Sequence, residues 1–418
     1  VKTNRIIPAA AALLLSIFNA QFSTCFAQGS LTPLGAPAPT MKSLDQIEAR
    51  TAITNTASLV TISQPGSYYL TQNLTVSAGD AIDIAANDVT LDLNGFTISS
   101  TAASAAGCGI NFVSFKGNSD ITISNGHIKG GVTNNAGVYS GPGFAFGIYK
   151  SFSYPVNVRV TGVSVSGCLN YGILLGTGNS SVVESCTVQT IGNTGIDASA
   201  VSHSTANQCG SYAIYADIAT DCYGYATGSG IGLTASTANN CYGYSNGFGD
   251  GLDASTANNC YGYSANRTGL SATTANNCYG YSANDTGLSA TTANSCYGYA
   301  AAGSGDGLDA TTAQNCYGYS GSGSVGNGLF ATTAQNCYGS SSGTDAVGLH
   351  ADTANNCEGY NSGAGTNGIG LIAFDIATGC YGYSTSGTGL QAIVIANVCH
   401  GATSTGTALT TPHNVNSF

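Results

Sequence analysis

The 418-residue chain contains no tryptophan, one methionine and eight prolines, and only 7% of its residues are charged. An intrinsically disordered chain combines low hydrophobicity with high charge. Here 43% of residues are hydrophobic, so that class is excluded. Positive charge is scarcest: nine Lys and Arg stand against 20 Asp and Glu, for a net charge of −11. With no cationic surface to neutralise phosphates, nucleic acid is not an expected partner. Beyond the leading segment, no apolar run approaches membrane length. What is abundant is glycine (58), tyrosine (24) and cysteine (15), which suits short strands and tight turns.

Residues 1–27 read as a secretory signal: Lys2 and Arg5 open it, Ile6 to Phe18 is apolar, and Cys25-Phe26-Ala27 ends on a small residue fit for cleavage. A lipid-modified Cys25 is the alternative, but Phe22-Ser23-Thr24 makes a poor lipobox. Val1 in place of Met fits a bacterial alternative start codon. Residues 28–50, with Pro33, Pro37 and Pro39 and then the amphipathic Met41 to Ile47, read as a linker and N-terminal cap segment. This arrangement predicts a secreted, cell-surface or periplasmic protein, with no transmembrane segment after cleavage.

From Gly66 onward, apolar and polar residues alternate between turn signals. Val89, Leu91 and Leu93 share one face, Asn94-Gly95 turns, and Phe96 and Ile98 resume the apolar face. An internal repeat decides the architecture. The unit GLxAxTAxNCYGYS recurs between Asp221 and Tyr383, and Cys222, Cys241, Cys260, Cys278, Cys296, Cys316, Cys337, Cys357, Cys380 and Cys399 return every 18 to 23 residues. Leucine-rich repeats need several Leu per unit and helical repeats are longer. What remains is a single-stranded parallel β-solenoid, with three short strands per coil stacked about 4.8 Å apart and right-handed winding. The expected organisation is a β-helix over 51–400, with irregular coils at 66–200 and regular coils at 201–400, followed by a C-terminal tail at 401–418. Parity with SVVESCTVQT places Cys260 inside and Tyr261 and Tyr263 outside, with Leu252, Ala254, Ala257 and Gly262 in a narrow core. Asn258 and Asn259 are expected at a corner where amides stack.

These repeats resemble right-handed parallel β-helix proteins of the pectate-lyase-like superfamily. APTMKSLDQIEAR, PGSYYLTQNLTV and NDVTLDLNGFTI are similar to the front end of secreted bacterial β-helix repeat proteins. The resemblance covers roughly residues 40–400. It implies the fold and leaves activity open among lyases, hydrolases, epimerases, adhesins and inert scaffolds.

Chemistry-bearing residues are sparse. Asp250 and Asp253 recur as Asp306 and Asp309, three coils away and too far to share a cation. The fold's glycosidases carry Gly-His-Gly and Arg-x-Lys motifs that this chain lacks, and His127 reads as an outward strand residue. No catalytic residue, cofactor or metal site is assigned, since one thiol per coil makes a line rather than a tetrahedron. The cysteines are expected as a buried thiol ladder, because parallel Cβ vectors at coil spacing are slightly too far apart for disulfides.

Two tyrosine rows dominate the expected surface. Within them Tyr242, Tyr244, Tyr261, Tyr263, Tyr279, Tyr281, Tyr297 and Tyr299 are the candidate ligand-binding residues, either stacking on sugar rings or stabilising the solenoid. The alternative site is the aromatic, basic stretch with Lys116, Lys129, Tyr149, Lys150 and Arg159, which suits an acidic glycan or caps the front coils. Arg267, aligned with Asp285 one coil later, is expected to pair with a neighbouring carboxylate. The sequence thus reads as a non-catalytic binding or structural module with an extracellular polysaccharide as ligand. The alternatives are a polysaccharide lyase or glycoside hydrolase, and a self-associating, adhesin-like surface protein.

Overall fold

A computed structural model describes residues 49–54, 57–321 and 325–418; the signal segment and residues 28–48 lie outside the described residues. Successive coils stack in register as a parallel all-β solenoid of about 18 turns. Strand Leu252–Asn258 pairs with Leu233–Asn239 before it and Leu270–Asn276 after it, so that Leu lies on Leu, Ala on Ala and Asn on Asn. Tyr261–Ser264 is held in the same way between Tyr242–Ser245 and Tyr279–Ser282. The exception to parallel pairing is a small hairpin, Thr133–Asn135 with Val138–Ser140.

Each regular coil has two continuous strands rather than the expected three. The longer one kinks at Ser255, which drops out of the pairing register, and the kink supplies the third face. The final residues also differ from the expectation of a tail. Strands His400–Thr403, Thr407–Thr410 and His413–Val415 pair with the preceding coil and continue the solenoid.

The core narrows along the axis. The front coils bury Ile82, Ile84, Leu91, Phe112 and Ile121, whereas a regular coil buries only Leu252, Ala254, Ala257 and Cys260. Small side chains let opposite walls approach, and glycine completes the fit: a Cβ on Gly262 would run into the carbonyl oxygen of Gly269. Each buried Leu contributes about 1.5–3 kcal/mol, so the regular coils depend on repetition and on polar ladders.

Those ladders occupy the corners. Asn259 has φ 53°, and Asn240, Asn277, Asn315, Asn336 and Asn356 repeat that left-handed conformation, with Ser295 taking it in the coil between Asn277 and Asn315. Asn tolerates it better than most residues. Beside this turn the amides form a chain: Asn258 Nδ2 donates to Asn239 Oδ1 at 3.0 Å, and Asn276 Nδ2 to Asn258 Oδ1 at 2.9 Å. The buried Ser264 hydroxyl closes the opposite corner by donating to the Gly249 carbonyl at 2.8 Å.

Candidate functional site

The parity argument holds along the regular coils: cysteines face inward, and the tyrosines stand half-buried on the outer face. In one row the ring centroids of Tyr242, Tyr261, Tyr279, Tyr297 and Tyr317 follow at 4.5, 4.9, 4.8 and 4.6 Å, each pair 4° from parallel. In the other, Tyr244, Tyr263, Tyr281 and Tyr299 follow at 4.3, 5.0 and 5.1 Å. Rings lying flat on the sheet would collide edge to edge at this spacing. The rings therefore overlap face to face, and each covers the faces of its neighbours. What the rows turn outward is ring edges and hydroxyls. Burial, followed by the neighbouring Tyr263, pushes the Tyr244 phenol up to about 12.

All fourteen described cysteines are free and buried. Burial pushes the Cys168 thiol up to about 12 and holds Cys186 at about 11. Each thiol of the regular row also reaches backbone carbonyls: Cys260 Sγ lies 3.2 Å from the Asn258 oxygen and 3.4 Å from that of Ala238 in the preceding coil.

A different face carries two runs of residues that alternate with the inward-facing ones. Asp83 pairs in register with Asn111 and Asn111 with Tyr149; farther along, Leu174, Asp197, Tyr215, Thr234, Asp253 and Ser271 follow one another. Tyr215, Asp217, Thr234, Ser236, Asp253 and Ser255 line a groove of about 370 Å³ beside the kink. Its floor is the kinked strand, whose bend turns two consecutive side chains outward. Four side-chain oxygens are buried without a hydrogen-bond partner among the described residues: Asp83 Oδ1, Asp197 Oδ1 and Thr234 Oγ1 on this face, and Asn361 Oδ1 on strand Glu358–Asn361. Burial, then the charge of Asp217, raises Asp197 to about 6, while Lys150 acts against the rise. Asp83 is likewise raised to about 6 by burial and by Asp80. Asp217 itself accepts a 2.7 Å hydrogen bond from the Gly178 amide. Sequence reasoning missed this column. Its members share no residue type, and only the strand register shows that they are neighbours.

The structure separates the residues of the alternative site. Lys150 stacks its ammonium 3.8 Å from the centre of the Tyr154 ring and donates to the Phe152 carbonyl at 3.3 Å. Tyr149 packs on Phe146 at 3.9 Å between ring centroids, with Tyr171 beside them. Tyr149 belongs to the column itself, and the charge of Lys150 acts on Asp197. Arg159 is instead engaged by Glu184 at 2.9 Å. Lys129 lies near the far end of strand Ser119–Lys129, paired with Ser166, and Lys116 is exposed in the loop where Phe115 meets Phe152. His127 is exposed on its strand, as parity required. The hairpin before this loop is a strap: the Tyr139 hydroxyl donates to the Gln208 carbonyl at 2.8 Å and meets Thr227 Oγ1 at 2.6 Å.

Arg267 pairs with a carboxylate, but not through the alignment partner Asp285. Its Nε lies 3.8 Å from Asp250 Oδ1 in the preceding coil. Among the described residues, no three or more His, Cys, Asp or Glu side chains are grouped to hold a metal, and no helix is long and apolar enough to cross a membrane. Comparison with protein-family models, curated proteins and solved structures found no match.

Proposed function

We propose that this protein is an exported, non-catalytic β-helix of the pectate-lyase-like type that binds a polysaccharide along the solenoid axis, on the face of Asp197, Tyr215 and Thr234. The signal-like residues 1–27 and the resemblance of the front coils support export and family. The observation that carries the binding reading is that Asp197 Oδ1 and Thr234 Oγ1, buried and unpartnered, stand in one register column on either side of Tyr215. A buried polar group without a partner costs about 1–3 kcal/mol. A ligand with repeated hydroxyls supplies the missing donors at intervals along the axis. Tyr215, 39% exposed and lining the groove, offers ring surface beside them, as an amphipathic sugar ring requires.

The groove carries Asp217 and Asp253, and the cation that acts on neighbouring Asp197, Lys150, is already held against Tyr154. A neutral, hydroxyl-rich glycan fits this charge better than the acidic glycan suggested by the basic loop. A hydrolytic reading has one observation in its favour: Asp197, raised to about 6 with Asp217 beside it, resembles a general acid with a carboxylate partner. Incubation with a panel of neutral and acidic soluble polysaccharides tests the proposal. Retention of a neutral polymer without cleavage supports it. Release of shorter products replaces it with the hydrolase reading, and retention of none overturns both.

A further inference from the structure

We propose that the thiol row from Cys222 to Cys399 is a binding site for soft d10 cations that take two sulfur ligands in line, of the mercury(II) or silver(I) kind, one ion between two successive coils. The inference is independent of the glycan reading and begins with continuity. The Tyr261 amide donates to the Cys241 carbonyl, Tyr279 to Cys260, Tyr297 to Cys278 and Tyr317 to Cys296, each at 2.8–2.9 Å. These bonds fix every cysteine directly over the one before it. Neighbouring thiols are close enough to influence one another's titration, Cys260 with Cys241 and Cys278, and Cys296 with Cys278 and Cys316.

Geometry selects the ion. A tetrahedral zinc site needs four ligands around a point, and a straight row offers two neighbours on a line. A disulfide needs Cβ atoms about 3.5–4.5 Å apart, closer than parallel strands about 4.8 Å apart provide without distortion. A linear S–metal–S unit spans two bonds. With the roughly 2.3 Å zinc–thiolate bond as the scale for a d10 ion, it needs roughly 4.6 Å, close to the coil spacing. Thiolate ligands also favour soft metals over hard ones.

The charge balances without placing an ion pair in the core. Mercury(II) forms two Hg–S bonds while two S–H bonds break, and both protons leave to solvent. Silver(I) displaces one proton and takes the second sulfur as a neutral thiol. In each case the protons released equal the charge of the ion, and the buried site stays neutral. A sulfur bridging two ions in a straight row would have to be collinear with both, which its bent bonding geometry forbids. Ions therefore occupy alternate gaps, five for the ten thiols of the row. The row lies slightly nearer the surface than the front thiols: Cys260, Cys278, Cys296 and Cys316 keep 3% exposure beside the Asn259 corner, against 0% for Cys168 and Cys209. Cys186 belongs to the same column but is cut off from Cys222 by Ser204, whose hydroxyl accepts from the Cys186 amide.

The test is a mercury(II) titration of the reduced full-length protein with bound metal counted after dialysis, alongside two double variants that each remove two thiols. Cys222→Ser with Cys241→Ser leaves eight contiguous thiols, whereas Cys241→Ser with Cys278→Ser leaves two isolated thiols and a run of six. Serine is chosen because Ser204 already fills one position of the column. The described cysteines outside the row, Cys108, Cys168, Cys186 and Cys209, are common to all three proteins, and only ions with two protein sulfur neighbours are counted, so the differences decide. Relative to the wild type, the first variant should lose one ion and the second two. X-ray absorption of the loaded wild type, which needs no variant, should show two sulfur neighbours per ion while the β-rich circular dichroism persists. Equal losses in the two variants, a third ligand on the metal, or unfolding as the ion is added would overturn the proposal.

Discussion

The rings of Tyr261 and Tyr279 lie 4.9 Å apart and 4° from parallel, each covering a face of the other. Tyr261 is covered on its second side by Tyr242 at 4.5 Å. This relationship gives the rows their structural role, because a face occupied by a neighbour has no room for a sugar. Replacing Tyr261 by Ser breaks two stacks. Stacked pairs are worth about 0.5–1.5 kcal/mol each beyond their buried area, so stability should fall by about 1–3 kcal/mol, measured by urea unfolding. Retention on a polysaccharide should be unchanged, as should retention by the four-site replacement of Tyr261, Tyr263, Tyr279 and Tyr281 wherever that protein remains β-rich.

A second prediction concerns the asparagine corner. Val398 holds φ 51° at the position that Asn356 occupies two coils earlier and Gly379 one coil earlier. A β-branched residue is strained there by about 1–2 kcal/mol, and Val398 is exposed, so it has little packing to lose. Val398→Asn should stabilise the C-terminal coils by about 1 kcal/mol. Hydrogen exchange of His400–Thr403 should slow accordingly.

A third prediction follows from the buried carboxyls. Asp83, Asp197 and Asp306 are raised from 3.8 to about 6, mainly by burial. Between about pH 4 and 6 the folded chain therefore binds more protons than the unfolded one. Stability is greatest below pH 4 from these groups and declines as pH rises through 6. Urea midpoints at pH 4.5 and pH 8 should differ in that direction. Asp197→Asn, neutral at both values, should narrow the difference; a midpoint that rises with pH for the wild type and not for the variant would contradict the assignment.

A fourth prediction concerns thiol access. The fourteen described cysteines are free and buried, so maleimide should label almost none in the native protein and nearly all after denaturation without reductant. Poor labelling after denaturation would show that stacked cysteines are paired.

The regular coils were legible because every coil repeats the same residues. Cys260 recurring as Cys278 and Cys296 gives the register directly, and parity then sorts Tyr261 outward and Ala257 inward. The polar column was not legible for the opposite reason. Asp83, Asn111 and Tyr149 are adjacent in space but separated by unequal lengths of chain, because the front coils carry insertions such as the Tyr139 hairpin. Arg267 shows a finer limit. Alignment placed Asp285 one coil ahead at its own position, yet the long side chain reaches back to Asp250. Register determines which backbones are neighbours, while side-chain length and direction determine which charges meet.

Binding of an extended glycan on the Asp197 face, and not on the tyrosine rows, is open to direct measurement. Affinity electrophoresis in a neutral polysaccharide that retains the wild type measures this directly, with Asp197→Ala/Tyr215→Ala compared against Tyr261→Ser/Tyr263→Ser. Retention should weaken roughly tenfold or more for the first variant, equivalent to about 1.4 kcal/mol, and stay unchanged for the second. Weakened retention of the tyrosine-row variant alone, with both proteins folded, would contradict it.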